Sequence, residues 1–232
     1  MPHTVEEAYE VADAALAGRD EKLLDELGDL LFQIFFLALT LQEQGSGNLE
    51  QVATTIHAKL VRRHPHVFGE AVADTPGEVR SRWETLKREQ EQREGVFHDV
   101  PESFPALIHA RKVQRRAAAV GFDYPDLAGA LGDFESELTE LREELAGKPE
   151  PRLERPPDAR VASELGDVLF ALVNVARRLN VDPELELRRA SGRFVERVER
   201  AEELAAAEGE TWAELDLERQ DRWYDLAKEE TK

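Results

Sequence analysis

Apolar side chains recur along the chain at intervals of three and four residues, the period of an amphipathic helix. Good helix formers, mainly Ala, Leu, Glu and Arg, fill these segments, and alternating runs of β-branched residues are few. The pattern therefore predicts an all-α fold. We expect helices over residues of about 4–17, 21–44, 49–63, 76–94, 104–119, 127–146, 158–180, 183–208 and 214–230, separated by Gly and Pro clusters.

The longest apolar run covers residues 30–41 and is interrupted by Gln33 and Thr40. A helix that crosses a bilayer needs about 18 or more apolar residues, so we expect no contact with a membrane. Because the run is apolar on nearly every face, it predicts a helix that is buried on more than one side. Gly28 lies just before the run, and a poor helix former at that point predicts close approach of another helix.

An internal repeat organises the chain. The run Glu26-Leu-Gly-Asp29-Leu-Leu-Phe32 returns 138 residues later as Glu164-Leu-Gly-Asp167-Val-Leu-Phe170. Two copies of one helical module are therefore predicted, over residues 1–100 and 101–232, with a Pro-rich insertion at 147–157. Other pairs follow in the same order: Glu7 and Glu10 with Glu137 and Glu140, Lys59 and Arg63 with Arg193 and Arg197, Arg82-Trp83 and Lys87 with Arg222-Trp223 and Lys228.

Composition narrows the range of partners. The chain has 30 Lys and Arg against 49 Asp and Glu, a formal net charge of −19, which would repel a nucleic-acid duplex. It has no Cys, which excludes disulfides, thiolate nucleophiles and Cys-based metal sites and is typical of a cytoplasmic protein. An acidic protein can still bind a phosphorylated small molecule when divalent cations bridge its carboxylates to the phosphates.

Acidic residues three apart are the first candidates for such a site. Glu7 and Glu10 share one face of the first helix, and Glu26 and Asp29 share one face of the next. If the two helices pack antiparallel, their carboxylates converge beside an apolar wall and need protons, basic partners or a hard cation such as Mg²⁺. A solvated acidic face is the alternative for one pair, and repetition in the second copy favours the site.

Basic and aromatic residues supply the second candidate set. Arg193 and Arg197 lie one helical turn apart, a spacing that suits a polyphosphate. The pair Trp223-Tyr224 places an aromatic ring about one turn before Lys228, which predicts either base stacking with a phosphate contact or core packing beneath a snorkelling lysine. Asn174 lies seven residues after Asp167, within an apolar run, and a mid-core amide needs partners.

Together these residues resemble the MazG family of nucleoside triphosphate pyrophosphohydrolases. The pattern Glu6-Glu7-Ala-Tyr-Glu10, fifteen residues, then Glu26-Leu-Gly-Asp29 is similar to the acidic motif of that family. The runs Lys59-Leu-Val-Arg-Arg-His-Pro-His-Val-Phe-Gly69 and Gln114-Arg-Arg-Ala-Ala-Ala-Val-Gly-Phe-Asp123 resemble stretches of its tandem-domain members. The resemblance extends over nearly the whole chain.

The resemblance implies two tandem all-α modules that dimerise through paired helices into four-helix-bundle cores. It implies cleavage of nucleoside triphosphates to monophosphate and pyrophosphate, with Mg²⁺ as cofactor and Mn²⁺ as a possible substitute, in nucleotide-pool clean-up. The implied metal ligands are Glu7, Glu10, Glu26, Asp29, Glu137, Glu140, Glu164 and Asp167, and the implied catalytic carboxylates are Glu6, Glu137 and Glu140. The implied substrate-binding residues are Asn174, Arg193, Arg197, Trp223, Tyr224, Lys228, Lys59, Arg63, Trp83 and Lys87.

Three departures from the family pattern bear on which module works. The family's usual segment before the first acidic motif is absent here, so we expect either that the start is misassigned or that the first pocket lacks a wall. Ser136 replaces the first Glu of the second motif, and Phe36 stands where the second copy has Asn174. The acid count favours the first pocket, whereas Asn174 and the arginine pair favour the second, towards which we lean. A narrower dUTP-type enzyme and an inactive nucleotide-binding scaffold remain as alternatives.

Overall fold

The computed structural model of the chain describes residues 2–63, 68, 95–97, 100–149 and 158–231. Within these ranges all regular structure is helical, as predicted. The predicted helix at 76–94 lies outside the described residues. The described helices are α1 Pro2–Leu16, α2 Asp20–Glu43, α3 Leu49–Arg63, α4 Ala106–Ala118, α5 Leu127–Leu145, α6 Ala159–Arg178, α7 Pro183–Ala207 and α8 Leu217–Glu230, with a short 3₁₀ turn at Trp212–Glu214.

The chain divides into two compact units. The first comprises Met1–Phe104 with His109–Pro125, and the second comprises Pro105–Ile108 with Asp126–Lys232. The boundary at 100/101 that the repeat predicts stays a prediction.

In the first unit α1 and α2 form an antiparallel pair. Three residues connect them, a length that forces two consecutive helices to turn back on each other. Gly18 makes the turn with φ +63°, and the amide of Arg19 donates to the carbonyl of Ala14 at 3.1 Å, which ends α1. Asn48 caps the start of α3, because its side chain accepts a hydrogen bond from the amide of Gln51 at 2.9 Å.

In the second unit α5 and α6 pack against each other. The Lys148 ammonium, just after α5, lies 2.8 Å from the carboxylate of Asp158, which caps the start of α6. The end of α5 is therefore next to the start of α6, and the pair is antiparallel. The Asp158 side chain also accepts from the amide of Arg160 at 3.0 Å, and these bonds hold the pKa of Asp158 below its usual value.

Two further helices of the second unit, α7 and α8, also pack together. Asp182 caps α7 ahead of Pro183, and Asp216 caps α8 by accepting from the amide of Arg219 at 2.9 Å. Arg200 joins the two helices through a 2.8 Å bond to Glu230. Aspartate caps therefore begin both helices, and an ion pair joins the last turn of α8 to α7.

Small side chains form the cores where the helices meet. Ala14, Ala130, Ala201, Ala205 and Ala227 are fully buried, whereas the large apolar side chains of α2 are not. The prediction that α2 is buried on more than one side is wrong for the single chain, since Phe32 is 62% exposed and only Ala38 and Glu26 of this helix are buried. An apolar helix face predicts that the face is buried, but it does not identify the helix or the second molecule that covers it.

The expected close approach at Gly28 is also wrong within the chain. A methyl group placed at Gly28 meets no atom within 4 Å, and the same holds at the equivalent Gly166. Both glycines lie on the side of their helix that no described neighbour covers. None of the described helices is long and apolar enough to cross a bilayer.

Candidate functional site

The first acidic cluster joins α1 to α2. Carboxylate oxygens of Glu7, Glu26 and Asp29 all lie within 4.8 Å of one another. The arrangement follows from the sequence, because Glu26 and Asp29 are three residues apart on one face of α2 and the short turn brings α1 alongside. The predicted convergence of carboxylates is therefore observed in the first unit.

Two further groups contact this cluster. Glu10 shares a hydrogen bond with Glu26, and this bond, together with the charge of Glu26, raises the pKa of Glu10. The Lys22 ammonium lies 3.4 Å from the largely buried carboxylate of Glu26. Partial burial and the neighbouring charges of Asp29 and Glu26 raise the pKa of Glu7. The Lys22 ammonium and the hydrogen bond between Glu10 and Glu26 therefore offset part of the negative charge of the first cluster.

Glu6 is not one of the three clustered carboxylates, although its charge contributes to the raised pKa values of Glu7 and Glu10. Its side chain is exposed and is 3.3 Å from Nδ1 of His3, one turn earlier on α1. Its predicted catalytic role stays a prediction.

The second acidic cluster joins α5 to α6 in the same way. Carboxylate oxygens of Glu137, Glu164 and Asp167 lie within 4.8 Å of one another. Desolvation raises the pKa of Glu137, and the charges of Glu140 and Asp167 raise it further. These residues are the repeat counterparts of the first trio, so both units place the same three carboxylates together.

The surroundings of the second cluster differ from those of the first. Glu140, the counterpart of Glu10, accepts a hydrogen bond from the hydroxyl of Ser136 at 3.3 Å. Arg160 occupies the position of Lys22, and its guanidinium lies 3.9 Å from Glu144. The serine that shortens the acidic motif therefore supplies a neutral donor, and the local arginine pairs with an acid other than Glu164.

The donor set of each trio fits a hard divalent cation. All donors are carboxylate oxygens, and Mg²⁺ prefers oxygen ligands at about 2.1 Å, so opposite ligands are about 4.2 Å apart. The oxygens of each trio lie within 4.8 Å, so small side-chain rotations bring them to bonding distance. Three protein ligands also leave positions for water and phosphate oxygens, as Mg²⁺ sites commonly do.

Asn174 lies two turns beyond Asp167 on α6 and is half-buried. Its carbonyl oxygen accepts two hydrogen bonds from the guanidinium of Arg177, at 2.9 Å from Nε and 2.7 Å from one terminal nitrogen. At the equivalent positions of α2 the chain has Phe36 and Leu39. Phe36 stacks on Phe32 with ring centroids 6.4 Å apart, so this part of the first unit is apolar.

The basic and aromatic candidates of the second unit lie on α7 and α8. Nε of Arg197 donates to the hydroxyl of Thr231 at 3.2 Å, and Arg193 is exposed. The indole nitrogen of Trp223 donates to Glu210 at 2.8 Å. Lys228 is exposed in the last turn of α8.

The two aromatic side chains of α8 both contact neighbours within the unit. Arg219 lies over the ring of Trp223 at 5.6 Å and also binds Glu210 with both ends of its guanidinium. These bonds lower the pKa of Glu210. Tyr224 packs against Phe194 with centroids 5.9 Å apart. Packing accounts for part of the predicted role of these rings, and base stacking stays a prediction.

The first-unit counterparts are less fully described. Lys59 is half-buried on α3, which ends at Arg63. The predictions for Trp83 and Lys87 fall outside the described residues.

Two residues beside the candidate residues were not singled out from the sequence. Lys22 lies four residues before Glu26, and Arg177 lies three after Asn174. Each is therefore a helical neighbour of a candidate residue, and the spacing rule that grouped the acids also identifies these partners.

Comparison with known proteins identifies relatives over almost the full length. A family model described as the MazG nucleotide pyrophosphohydrolase domain matches residues 1–68. A Thermotoga maritima protein named nucleoside triphosphate pyrophosphohydrolase/pyrophosphatase MazG is 38% identical over 229 residues, which cover 98% of this chain and 84% of the relative. An Escherichia coli K12 protein named nucleoside triphosphate pyrophosphohydrolase is 38% identical over 233 residues, which cover 99% of this chain and 86% of the relative.

Proposed function

The chain belongs to the MazG family of nucleoside triphosphate pyrophosphohydrolases, and from this premise we propose that it hydrolyses nucleoside triphosphates between the α- and β-phosphates. The reaction consumes one water, breaks one phosphoanhydride bond and releases a nucleoside monophosphate and pyrophosphate. The repeated carboxylate trio, with Glu137, Glu164 and Asp167 in the second unit, is the observation that supports it most directly. Removal of surplus or non-standard nucleotides is the role we propose.

Carboxylates of each trio hold Mg²⁺ in this proposal, with Glu10 and Glu140 as the fourth acids and Mn²⁺ as a possible substitute. A bound divalent cation supplies charge neutralisation on the phosphate oxygens and lowers the pKa of water. Mg²⁺ is favoured because every protein donor is a hard oxygen and the substrate brings phosphate oxygens of the same kind.

A carboxylate of the acidic cluster or next to it is the proton acceptor that we propose. In the second unit Glu140 suits this role, because the Ser136 hydroxyl orients one of its oxygens and its charge reaches Glu137. Glu137 itself, with a raised pKa, is the alternative acceptor. In the first unit Glu6, beside His3, is the corresponding candidate. Whichever of these acids has this role takes the proton that the attacking water loses.

Cationic and aromatic side chains hold the substrate in this proposal. Arg193, Arg197 and Lys228 neutralise the phosphate tail, and Trp223 with Tyr224 flanks the base. Their counterparts in the first unit are Lys59, Arg63, Trp83 and Lys87.

We propose further that the chain acts as a homodimer. Leu31, Phe32, Phe35, Phe36 and Leu39 on α2 are each between 48% and 62% exposed, and so long an apolar surface calls for a partner. A second copy pairing its own α2 with this helix would complete a four-helix arrangement. Sedimentation equilibrium of the full chain is expected to give twice the mass of 26.2 kDa, and a stable monomer would contradict this part of the proposal.

The decisive experiment resolves the products. Purified full-length chain is incubated with each standard NTP and dNTP and Mg²⁺, and the products are separated by ion-exchange chromatography. We expect monophosphate and pyrophosphate, with no diphosphate, and no turnover in excess chelator. Turnover of one nucleotide alone, such as dUTP, would narrow the substrate. Diphosphate with orthophosphate would contradict cleavage at the α–β bond, and nucleotide binding without products would indicate an inactive scaffold.

Glu164→Gln is the variant that ties the activity to the cluster. Glu135→Gln is its matched control, because Glu135 is an exposed acid on α5 two residues, or about 200°, from Glu137. We expect loss of pyrophosphate release in the first and wild-type rates in the second. Equal rates in both would remove the second cluster from the proposed site.

A further inference from the structure

We infer that Arg177 is a positioning residue: its guanidinium fixes the Asn174 amide so that the NH₂ group is presented to a neutral hydrogen-bond acceptor on the nucleoside part of the substrate. This inference rests on the proposed function, because it assigns a recognition role within the second-unit site. It concerns a residue that neither the acidic motif nor the arginine pair of α7 includes.

The geometry at Asn174 fixes the polarity of its side chain. Two hydrogen bonds from the Arg177 guanidinium reach the same amide oxygen, at 2.9 and 2.7 Å. An arginine side chain has five donors and no acceptor, so the amide nitrogen has no favourable contact with it. The carbonyl therefore faces Arg177 and the NH₂ group points away from it. Within the described part of the chain, no acceptor takes a hydrogen bond from this nitrogen.

The position of Asn174 places that donor at a useful distance from the acids. Seven residues separate it from Asp167, which is two turns of α6 on nearly the same face and about 10.5 Å along the helix axis. A nucleotide whose phosphates are held at the trio would extend its sugar or base over such a distance. An uncharged amide donor suits a base carbonyl or a ribose oxygen, both neutral acceptors.

The first unit supplies an internal contrast. Phe36 and Leu39 occupy the two equivalent positions on α2, so the asparagine and its arginine are present together in one copy and absent together in the other. An arginine with no role at the asparagine would not need to be present in the same copy. Two residues that act together would be gained or lost together.

Four variants distinguish an indirect role of Arg177, through Asn174, from a direct contact with substrate or a purely structural role. Asn174→Asp keeps an acceptor for Arg177 and nearly the same shape but has no NH₂ group. Asn174→Ala removes the side chain, Arg177→Met removes the clamp, and Asn174→Ala with Arg177→Met closes a double-mutant cycle. Arg178→Met, the next residue on α6 and about 100° away, is the matched control.

Two readouts are measured for each variant. One is kcat/KM for pyrophosphate release, and the other is the Kd of an α,β-methylene nucleoside triphosphate with Mg²⁺, which does not depend on turnover. Asn174→Asp is expected to weaken both by about tenfold to a hundredfold, the range for leaving a substrate acceptor unpaired, while its Tm is unchanged or higher. Arg177→Met is expected to raise KM by about tenfold, and a further, conservative variant, Arg177→Lys, is expected to lie between it and wild type.

Because Arg177 acts through Asn174, Arg177→Met should cost nothing further in the Asn174→Ala background. Tripolyphosphate, which has no nucleoside, should bind wild type and Asn174→Ala equally. A penalty that varies with the base, or with removal of a ribose hydroxyl, identifies the acceptor atom. Arg178→Met should match wild type in kcat/KM and in the Kd of the analogue.

Three results would overturn the inference. Wild-type affinity in Asn174→Asp would show that the donor is unused, and a full Arg177→Met penalty without Asn174 would show that the arginine acts independently. An equal loss of tripolyphosphate binding would place the phosphates at Asn174 instead. A wild-type chain that binds the analogue without turnover contradicts the proposed function alone, whereas one that does not bind it contradicts both.

Discussion

The two acidic clusters share one geometry and differ in how the chain offsets their charge. In the first, Lys22 contacts Glu26 and Glu10 shares a hydrogen bond with the same carboxylate. In the second, Arg160 contacts Glu144, and Glu140 accepts from the neutral Ser136. A cluster that the chain already compensates has less to gain from a cation. From this difference we propose that the second cluster is the stronger cation site, although its motif is one acid shorter.

Substitution of equivalent acids tests this difference most strongly. Glu164→Gln is expected to lower kcat for pyrophosphate release by about 10³-fold, because loss of a metal ligand removes several kcal/mol of charge stabilisation. Glu26→Gln, the same change in the first cluster, is expected to leave kcat within about threefold, since it affects the compensated site. Steady-state kinetics with saturating Mg²⁺ measures both. The reverse order of effects would make the first unit the working one.

The pH dependence of cation stabilisation gives the next largest effect. Glu7, Glu10 and Glu137 have pKa values raised above the ordinary 4.5, so the folded protein without metal binds protons more tightly than the unfolded chain. Their contribution to stability is therefore complete below pH of about 4.5 and is lost as pH rises through the raised pKa values. A cation that replaces these protons should stabilise the fold more at pH 8 than at pH 5.5.

Differential scanning calorimetry with Mg²⁺ and with chelator measures that gain. At a cation concentration of about 100 Kd the expected stabilisation is about 2.7 kcal/mol at pH 8, with a smaller value at pH 5.5. Comparing the two conditions at each pH cancels groups remote from the clusters, such as Asp158 and Glu210, whose lowered pKa values act in the opposite direction. A gain that is equal at both pH values would contradict proton displacement from the clusters.

Removal of Lys22 should make the first cluster resemble the second. Lys22→Met breaks an ion pair between a half-exposed ammonium and a largely buried carboxylate, and it is expected to cost only about 0.5 kcal/mol without metal, because solvent screens the lysine. Without the lysine charge, the Mg²⁺ affinity of the first cluster should rise severalfold. Isothermal titration calorimetry measures this affinity in a Glu164→Gln background, in which the second cluster lacks one of its carboxylates. Arg160→Met is the matched control, since its guanidinium contacts Glu144. Equal affinities in the two variants would show that Lys22 does not compete with the cation.

The sequence was sufficient for the helices of the described residues and for both carboxylate trios, because both depend on local periodicity. Glu26 and Asp29 must share a face at a spacing of three, and the short turn at Gly18 must bring Glu7 alongside. The choice of partner for Arg160 was not predictable, since Glu144 and Glu164 are both within reach and side-chain rotamers decide between them. The exposure of Phe32 was also not predictable, because periodicity indicates an apolar face without naming what covers it.

Substitution of Gly28 and Gly166 gives the smallest expected effect. It tests whether a second copy or the substrate occupies the open space beside each cluster. Gly28→Ala and Gly166→Ala should each raise the free energy of unfolding by about 0.5–1 kcal/mol, because alanine is the better helix former and its methyl group meets no atom within 4 Å. Urea denaturation of the full chain measures the change. Destabilisation at Gly28 alone would show that a second copy approaches α2 at that point. Normal stability with a raised KM at Gly166 alone would place substrate against the second cluster and add to its difference from the first.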